Sequence, residues 1–369
     1  MDIRVFTDLR FTSYPYPTGV GKHISQMVHG LSEIQGNRVS LLVAGDQTRL
    51  AGPLSYLPNR TIPMPWKLAQ AVWTTTGYPP ADRWCGAADW VYCPKNDFIP
   101  IRKSRVAVTI HGASELDPDM PKSRGLVRHL TRLRSRASYT RLVRQAQVIC
   151  VVSEFLKRQV VEWFLVDPER VHVVGNGVEP EFFEAAKRAH GCSGENHGRP
   201  FVLCVGGLNH ADGGDRIIKA ARSLLRESPQ MRVLVAGRQH DQEMLKAAAV
   251  LPNLRLLGYV ESSRLACYMR DALALFYPTR YETFGLAAAE AMAVGTPIVT
   301  CRSTAVPEIV GDAGIFVDPE RSDSVVEAIA SLQAQSTFRD DLIDRGRRRA
   351  QAYTWSAPVS RLQQVLQRG

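Results

Sequence analysis

The sequence lacks the features that mark membrane-spanning and disulfide-rich proteins. No apolar run reaches the roughly 18 residues that a membrane-spanning helix needs. The seven cysteines are odd in number and scattered, without a C-x-x-C pair, so they predict a reducing cytoplasm and no metal site. Residues 1–5 indicate the start of a strand, and we therefore expect no signal peptide.

Acidic residues are also scarce relative to basic ones. Lys and Arg number 46 against 36 Asp and Glu, which gives a net charge of +10. This charge favours an anionic partner, and a nucleotide, a phospholipid or a nucleic acid would each satisfy it. With 369 residues the chain is too long for one ordinary core and suits two domains.

The most informative stretch is Thr279–Pro297, which follows a buried strand predicted at Ala272–Tyr277. A helix is predicted to begin near Gly285 or Leu286 and to end at Gly295. Glu282 then lies just before the helix and Glu290 just over a turn inside it. Both carboxylates can face a crevice at the carboxyl end of the strand, where open α/β sheets bind ligands. The amides of Phe284, Gly285 and Leu286 would suit an anion there. The alternative without a binding site is that Glu282 is only an acid at the start of the helix and Glu290 a solvated residue on its surface.

Strands and helices alternate along the rest of the chain, which predicts two doubly wound α/β domains. The predicted strands are Ile3–Phe6, Arg38–Ala44, Asp89–Tyr92, Arg105–Ile110, Gln147–Val152, Phe201–Val205, Arg232–Ala236, Leu254–Leu257, Ala272–Tyr277, Ile298–Thr300 and Ile315–Val317. Residues 184–200 are rich in glycine and polar residues and indicate an interdomain linker. Residues 45–88 are predicted as loops or short helices, either packed or facing an acceptor or a membrane. The tail, 339–367, is predicted to be helical.

Two features of the first half are weak candidates for a site. Gly19 and Gly21 follow the first strand and precede a helical apolar pattern, an arrangement that lets backbone amides approach a ligand. His111 directly follows a predicted strand, although a single histidine in that position is more often structural.

The segment Arg124–Arg144 is a predicted helix with seven arginines and no acid. It is compatible with a solvated helix that covers the sheet or with a basic face against anionic lipid. Nucleic acid is a third possibility, but no readout motif accompanies the arginines.

The stretch Y-E-T-F-G-L followed by A-x-E-A-M-A-x-G-T-P resembles the E-x7-E signature of the retaining GT-B glycosyltransferases of family 4. The segments V-T-I-H, V-V-S-E-F, P-E-R-V-H-V-V-G-N-G-V and V-P-E-I-V-G are also similar to that family. The resemblance implies a GT-B fold, α/β in class, with two Rossmann-like domains facing a central cleft. The domains would be an acceptor-side domain at 1–190, a nucleotide-sugar domain at 198–350, and a helix at 351–369 that crosses back to the first domain.

The resemblance also implies a function. A hexosyl group would move from a UDP- or GDP-linked sugar to a glycan or lipid-linked acceptor, with retention of configuration and without metal or cofactor. Glu290 would bind the ribose hydroxyls, and Glu282 and His111 would contact the donor sugar. Tyr259 and Val260 would hold the base, and Gly19 and Gly21 would border the phosphate. We expect a cytoplasmic protein, with peripheral attachment to the inner membrane face through 124–144 as a further possibility, and no nucleic-acid partner.

One departure from the family stands out. Family members usually carry G-R-L-x-x-x-K-G, whereas this chain has Gly206-Gly207-Leu208 and then Asp212 at the lysine position. An acid about 4 Å from a diphosphate charge costs roughly 4 kcal/mol at an effective dielectric of 20. Either another base substitutes, or Asp212 turns away, or the donor chemistry is altered. The candidate bases are Arg216, Lys219, Arg238 and Arg280, of which Arg238 is best placed.

Three alternatives follow from the sequence. A catalytically silent GT-B-like paralogue would explain Gly207 and Asp212 but not the intact Glu282 and Glu290. A basic membrane or nucleic-acid scaffold would leave the E-x7-E pattern unexplained. An inverting enzyme would need a positioned base in the first domain, for which His111 is the candidate.

Overall fold

The computed structural model describes residues 3–10, 18–34, 36–46, 54–86, 88–114, 116–117, 125–188, 199–238 and 241–369. The chain forms two compact units. The first comprises Met1–Gly177 together with Trp355–Gly369, and the second comprises Val178–Thr354.

The elements of the first half, in chain order, are β1 (Ile3–Asp8), α1 (Gly19–Glu33), β2 (Asn37–Ala44), β3 (Asn59–Ile62), α2 (Trp66–Thr76), α3 (Asp82–Cys85), β4 (Trp90–Cys93), β5 (Arg105–Ile110), α4 (Gly125–Gln145), β6 (Val148–Val151), α5 (Glu154–Phe164), a 3-10 turn (Pro168–Arg170), β7 (Val171–Val173) and α6 (Pro180–Ala185). Those of the second half are β8 (Phe201–Val205), α7 (Gly214–Glu227), β9 (Arg232–Ala236), α8 (Gln242–Ala249), β10 (Leu254–Gly258), α9 (Ser262–Asp271), β11 (Ala274–Tyr277), α10 (Leu286–Val294), β12 (Ile298–Thr300), α11 (Val306–Val310), β13 (Gly314–Phe316), α12 (Ser322–Ala334), α13 (Ser336–Ala350), a 3-10 turn (Gln351–Tyr353) and α14 (Ser356–Arg368).

The first unit contains a parallel seven-stranded sheet in the order β3-β2-β1-β4-β5-β6-β7. The strand order reverses between β1 and β4, which creates a switch point at the carboxyl edge. One face packs on α1, whose buried Ile24, Met27, Val28 and Leu31 confirm the predicted helical period. The same core includes Leu362 of α14.

The second unit contains a parallel six-stranded sheet in the order β10-β9-β8-β11-β12-β13. Its strand order reverses between β8 and β11. The two parallel sheets confirm the predicted α/β class, and α10 occupies the residues predicted for it, Leu286–Val294.

Three regions of secondary structure differ from the prediction. The strand β7 was not predicted, because its three residues are too few to show a strand period. Within 45–88, β3 is a strand that we did not predict, because three of its four residues are exposed and present no apolar run. The tail is not one helix, since α13 ends at Ala350 and a 3-10 turn separates it from α14.

The units divide at Gly177 and Thr354, whereas the expected domain boundaries lie at residues 190 and 351. The segment after Gly177 includes α6, which packs against α9 and α10 of the second unit and buries Phe182. The α14 helix lies in the first unit, where the indole of Trp90 donates to the carbonyl of Leu366 at 3.0 Å.

The arginine-rich segment forms α4, as predicted. Arg136 and Arg144 are exposed, Leu133 is 52% exposed, and Arg141 donates to the carbonyl of Thr74. Arg124, also counted in this basic face, lies outside the described residues, as do the side chains of Arg128 and Arg134.

Six of the cysteines are described, and all six are buried free thiols. They are Cys85, Cys93, Cys150, Cys204, Cys267 and Cys301; Cys192 lies outside the described residues. In the described part of the chain, no helix combines the length and apolar character needed to cross a membrane.

Candidate active site

Two loops meet at the switch point of the second unit, one after β8 and one after β11. The hydroxyl of Thr279 donates to the carbonyl of Ala211 at 3.1 Å, and the amide of Arg280 donates to the same oxygen at 2.8 Å. Because these contacts link the carboxyl ends of β8 and β11, they create the kind of crevice in which open α/β sheets bind ligands.

Glu282 lies in this crevice and is held by hydrogen bonds on several sides. The hydroxyl of Tyr277 donates to its Oε1 at 2.7 Å, and its own amide donates to the Thr304 hydroxyl at 2.8 Å. The backbone amides of Phe284 and Gly285 also hydrogen-bond the carboxylate. We expected these two amides to be donors for a ligand anion, but the carboxylate two to three residues earlier in the chain is the anion they reach. The role of the Leu286 amide stays a prediction.

Thr304 shapes the other side of the Glu282 loop. Its φ of 47° lies in the left-handed region, which is uncommon for a residue other than glycine. The neighbouring Ala305 amide donates to the Glu282 carbonyl at 3.2 Å, so the segment after β12 binds the Glu282 backbone on both sides. The position of the carboxylate is thus set by contacts from two loops.

Acidic groups cluster around Tyr277. Burial raises the pKa of Glu282, and the charge of Asp212 raises it further. Burial also raises the pKa of Asp212, whose carboxylate accepts a hydrogen bond from the Asn209 side chain. The pKa of Tyr277 lies well above its ordinary value because of burial and the charges of Glu282, Asp212 and Glu290. The structure therefore brings Asp212 close to Glu282, and the two motif glutamates and Asp212 all act on Tyr277.

Glu290 is 5% exposed and lies in the second turn of α10. The helix is capped at its start by Gly285, with φ of 98°, a conformation that L side chains rarely adopt. The prediction that Glu282 precedes the helix and Glu290 lies inside it is confirmed in its geometry.

Gly206 and Gly207 follow β8 and lie against the neighbouring loop. A Cβ on Gly207 would lie 2.4 Å from the backbone oxygen of Arg238, and its φ is 114°. This position therefore cannot carry the arginine of the family pattern without a backbone shift. A Cβ on Gly206 would meet the Asp212 carboxyl carbon at 2.8 Å.

The four candidate bases differ in their contacts and exposure. Arg280 forms a bidentate pair with Asp215 at 2.6 and 2.9 Å. Arg216 pairs with Glu320 at 2.7 Å, and Lys219 donates to the Glu320 carbonyl. The fourth, Arg238, also interacts with other residues; it is exposed and lies two residues after the end of β9 at the carboxyl edge of the sheet.

Tyr259 and Val260 follow β10 at the same edge, two strands away from β8. Tyr259 is 38% exposed, and the Gly237 amide donates to the Gly258 carbonyl at 2.7 Å, which joins the ends of β9 and β10. Both residues thus share an edge with the glutamates, as expected from the sequence.

In the first unit, His111 follows β5 and forms a pair with a histidine that we did not predict, His23. The rings meet edge to face at a centroid distance of 4.6 Å. His111 Nε2 lies 2.8 Å from the Pro94 carbonyl, an acceptor, so Nε2 carries the proton and Nδ1 is left to accept. Burial lowers the pKa of His111 to about 4 and that of the fully buried His23 well below its ordinary value.

Gly19 and Gly21 lie in the first turn of α1 rather than in a loop before it. The Gly21 amide donates to the hydroxyl of Thr18, the N-cap, at 3.1 Å. The Gly21 amide is therefore occupied by the cap, and the expected position of Gly21 beside the phosphate stays a prediction. Gly19 is exposed at the helix start, and residues 11–17 before it lie outside the described part.

Sequence reasoning missed Tyr277, Thr304 and His23. Tyr277 ends a predicted strand, and a hydroxyl at that position is a usable signal. His23 lies four residues before Met27 on the buried face of α1, so a polar residue interrupting an apolar period could have marked it. No local pattern marks Thr304. Among the described residues, no group of three or more His, Cys, Asp or Glu side chains could hold a metal ion.

Comparison with known families shows which family this chain belongs to. Residues 17–182 match the family described as Glycosyltransferase Family 4, and residues 170–349 match Glycosyl transferases group 1. The chain is a family 4-type glycosyltransferase. The predicted family is thereby confirmed.

Similar proteins include two mannosyltransferases. O-antigen chain mannosyltransferase B of Escherichia coli is 24% identical over 72% of this glycosyltransferase and 71% of the relative. Phosphatidyl-myo-inositol mannosyltransferase of Mycolicibacterium smegmatis is 24% identical over 96% of this chain and 91% of the relative. For several other similar proteins, the matched region spans little more than half of the relative, for example 55% of a D-inositol 3-phosphate glycosyltransferase of Nocardioides.

Solved structures share the fold. WaaG, a glycosyltransferase involved in lipopolysaccharide biosynthesis, has a TM-score of 0.74 at 16% identity, with all of both chains covered. Anabaena HepE in complex with UDP-glucose has a TM-score of 0.73 at 15% identity, again with all of both chains covered. The fold is therefore GT-B, as predicted.

The acidic cluster predicts a specific pH dependence of stability. The folded glycosyltransferase holds the Asp212 proton to higher pH than the unfolded chain does, because burial raises its pKa above 3.8. Stability should thus fall as pH rises from about 3.8 through the raised pKa. Asp212→Asn removes this contribution, and it also removes the charge that raises the pKa of Glu282. The free energy of unfolding should therefore fall less steeply with pH in this variant. Urea unfolding at a series of pH values measures it.

Asp323→Asn is the matched control. This carboxylate is exposed on α12, and Arg321 lowers its pKa, so its contribution has the opposite sign. An unchanged slope in Asp212→Asn would contradict the proposed coupling between Asp212 and Glu282.

Proposed function

We propose that this glycosyltransferase moves a sugar from a nucleotide-sugar donor to a glycan or lipid-linked acceptor with retention of anomeric configuration. The observation that carries the proposal is the fixed Glu282 carboxylate at a switch point, with Glu290 on the adjoining helix. The UDP-glucose complex of HepE and the lipid and O-antigen substrates in the names of the mannosyltransferases support the donor and acceptor classes.

The roles of the residues follow from their chemistry. The Glu290 carboxylate would accept hydrogen bonds from ribose hydroxyls, and Glu282 would accept one from a hydroxyl of the donor sugar. Tyr259 and Val260 would contact the base. The departing phosphate would help deprotonate the acceptor on the same face, so no separate base is required.

His111 supports retention over inversion. A general base works best with a pKa near the working pH, and burial lowers that of His111 to about 4. At neutral pH its ring is neutral and weakly basic. Its Nδ1 can therefore accept a hydrogen bond from a sugar hydroxyl, but it is too weak a base to remove the proton of the acceptor substrate.

Glu290→Gln should weaken binding of UDP or GDP while the fold survives. Hydrogen bonds to a charged group are each worth about 1.5–3 kcal/mol, so the loss should be roughly ten-fold or more. Isothermal titration with both nucleotides measures it. Glu327→Gln, an exposed glutamate on α12 of the same unit, serves as control. Unchanged affinity in Glu290→Gln would refute the ribose assignment.

The phosphate charge requires a cation, and Arg238 is our proposed source. A leaving diphosphate gains negative charge in the transition state, so the cation acts on rate more than on binding. Arg238→Ala should lower turnover ten-fold or more, about 1.4 kcal/mol. Asp212→Lys should keep or raise activity, since it replaces an acid by the usual base without touching the crowded Gly207. Donor turnover on the best acceptor measures both, and Arg255→Ala, exposed on β10, is the control.

The catalytically silent paralogue is the competing function. The similar proteins are named as transferases, which favours an enzyme. If the wild type binds nucleotide without turnover while Asp212→Lys turns over, the silent paralogue is the correct reading and the enzyme is not.

We also propose that α4 rests on an anionic membrane surface. Its exposed Arg136 and Arg144 accompany Leu133, an apolar side chain that is 52% exposed. Each basic residue near such a surface contributes about 1 kcal/mol to membrane binding, and salt weakens this attraction. Flotation should recover more protein with anionic than with neutral vesicles. The double variant Arg136→Gln with Arg144→Gln should show a smaller difference between the two vesicle types. Equal recovery with both vesicle types, or no salt effect, would exclude this contact.

A further inference from the structure

A groove lies on one face of the first sheet, at the amino ends of β1, β2 and β3. Side chains alternate along each strand, so Ile3 and Val5 enter the core beneath α1 while Arg4 and Phe6 lie on the opposite face. Parallel sheets are ordinarily covered on both faces by apolar contacts. Here the second face is open along these amino ends, and the groove has a volume of about 1140 Å3.

Four arginines line this arginine groove: Arg4, Arg38 and Arg60 on the three strands and Arg83 on α3. All four are exposed, and no acidic side chain of the described residues lines the groove. Arg4 and Arg38 are register partners on neighbouring strands, where like charges destabilise a sheet. An anion in the groove would relieve that repulsion.

The acids nearest to the groove are already engaged. Asp89 accepts from the amide of Arg4 at 2.8 Å and contacts its guanidinium at 3.5 Å. The Asp82 carboxylate accepts the amides of Arg102 and Lys103 at 2.7 and 2.9 Å, which fixes the start of α3. Asp89 therefore offsets part of the charge of Arg4, whereas the described lining itself carries four arginines and no acid.

The remaining lining has the chemistry of a carbohydrate site. Phe6 and Trp84 offer half-buried aromatic rings, and Ser40 and Asn59 offer polar groups for hydroxyls. The volume exceeds the roughly 300–1,000 Å3 of ordinary small-molecule pockets, so there is room for more than one sugar unit.

We propose that the arginine groove binds an anionic oligosaccharide, with carboxylate or phosphate groups on the arginines and a sugar face against Trp84. This deepens the proposed function, on which it rests, by naming acidic glycan as the acceptor class. The groove lies at the opposite end of the strands from the carboxyl edge, about 17 Å away along β1 from the strand rise. It would therefore hold a part of the glycan remote from the reacting hydroxyl.

Titration with an oligogalacturonate tetramer tests the proposal, with maltotetraose as the neutral glycan. The wild type should bind the acidic tetramer at least ten-fold more tightly, and added salt should weaken the binding. Arg60→Gln with Arg83→Gln should lower the affinity ten-fold or more, and Trp84→Leu should lower it with the charges intact. Arg158→Gln with Arg368→Gln, two exposed arginines elsewhere in the first unit, should leave it unchanged.

Binding of UDP and GDP, measured on the same variants, distinguishes failure of the groove proposal from failure of the proposed glycosyltransferase function. Nucleotide binding that persists in the Arg60 and Arg83 variant while the acidic tetramer is lost supports both. Nucleotide binding without any binding of the tetramer overturns the groove proposal alone, whereas tetramer binding without nucleotide binding overturns the donor assignment alone. Equally tight, equally Arg60- and Arg83-dependent binding of a thymidine tetranucleotide overturns the glycan specificity.

Discussion

The carboxylate of Glu282 is the group on which the candidate site depends. A half-buried carboxylate is costly unless donors surround it. Tyr277 and two backbone amides supply them, and the Glu282 backbone is held by Thr304 and Ala305. These contacts tie β11, the start of α10 and the segment after β12 into one arrangement. The carboxylate is thereby presented without freedom to rotate, which is what orienting a sugar hydroxyl requires.

The cost of this arrangement is a concentration of negative charge. Asp212, Glu282 and Glu290 all act on Tyr277, and burial keeps the pKa values of Asp212 and Glu282 raised. The bases in the neighbouring loops do not offset it directly, since Arg216 and Arg280 pair with Glu320 and Asp215. Under the proposed function a nucleotide diphosphate would enter this environment, and this is the reason for which we propose Arg238 as the compensating cation.

In the first unit, a pair of neutral histidines rather than a cluster of acids lies near the end of β5. His23 and His111 are neutral at physiological pH because burial lowers their pKa values, and each uses a ring nitrogen to contact a nearby oxygen of Asn176 or Pro94. Positive charge accumulates instead on the outer sheet face, where arginines occupy positions that a covering helix would otherwise fill with apolar contacts. Positive charge is thus distributed unevenly within this unit.

Local patterns in the sequence determined most strands of both sheets, the position of α10 and the order of Glu282 and Glu290 around its start, because apolar periodicity and helix-stop residues act over short distances. The edge strand β3 was not predicted, because an exposed strand of four residues has no apolar periodicity. Only the tertiary structure decided which groups the amides of Phe284, Gly285 and Gly21 contact, since a carboxylate or a hydroxyl a few residues away competes with any ligand. It also decided that Gly207 has no room for a side chain and that His23 meets His111. Those facts depend on backbone segments that are distant in sequence, and no local pattern records their approach.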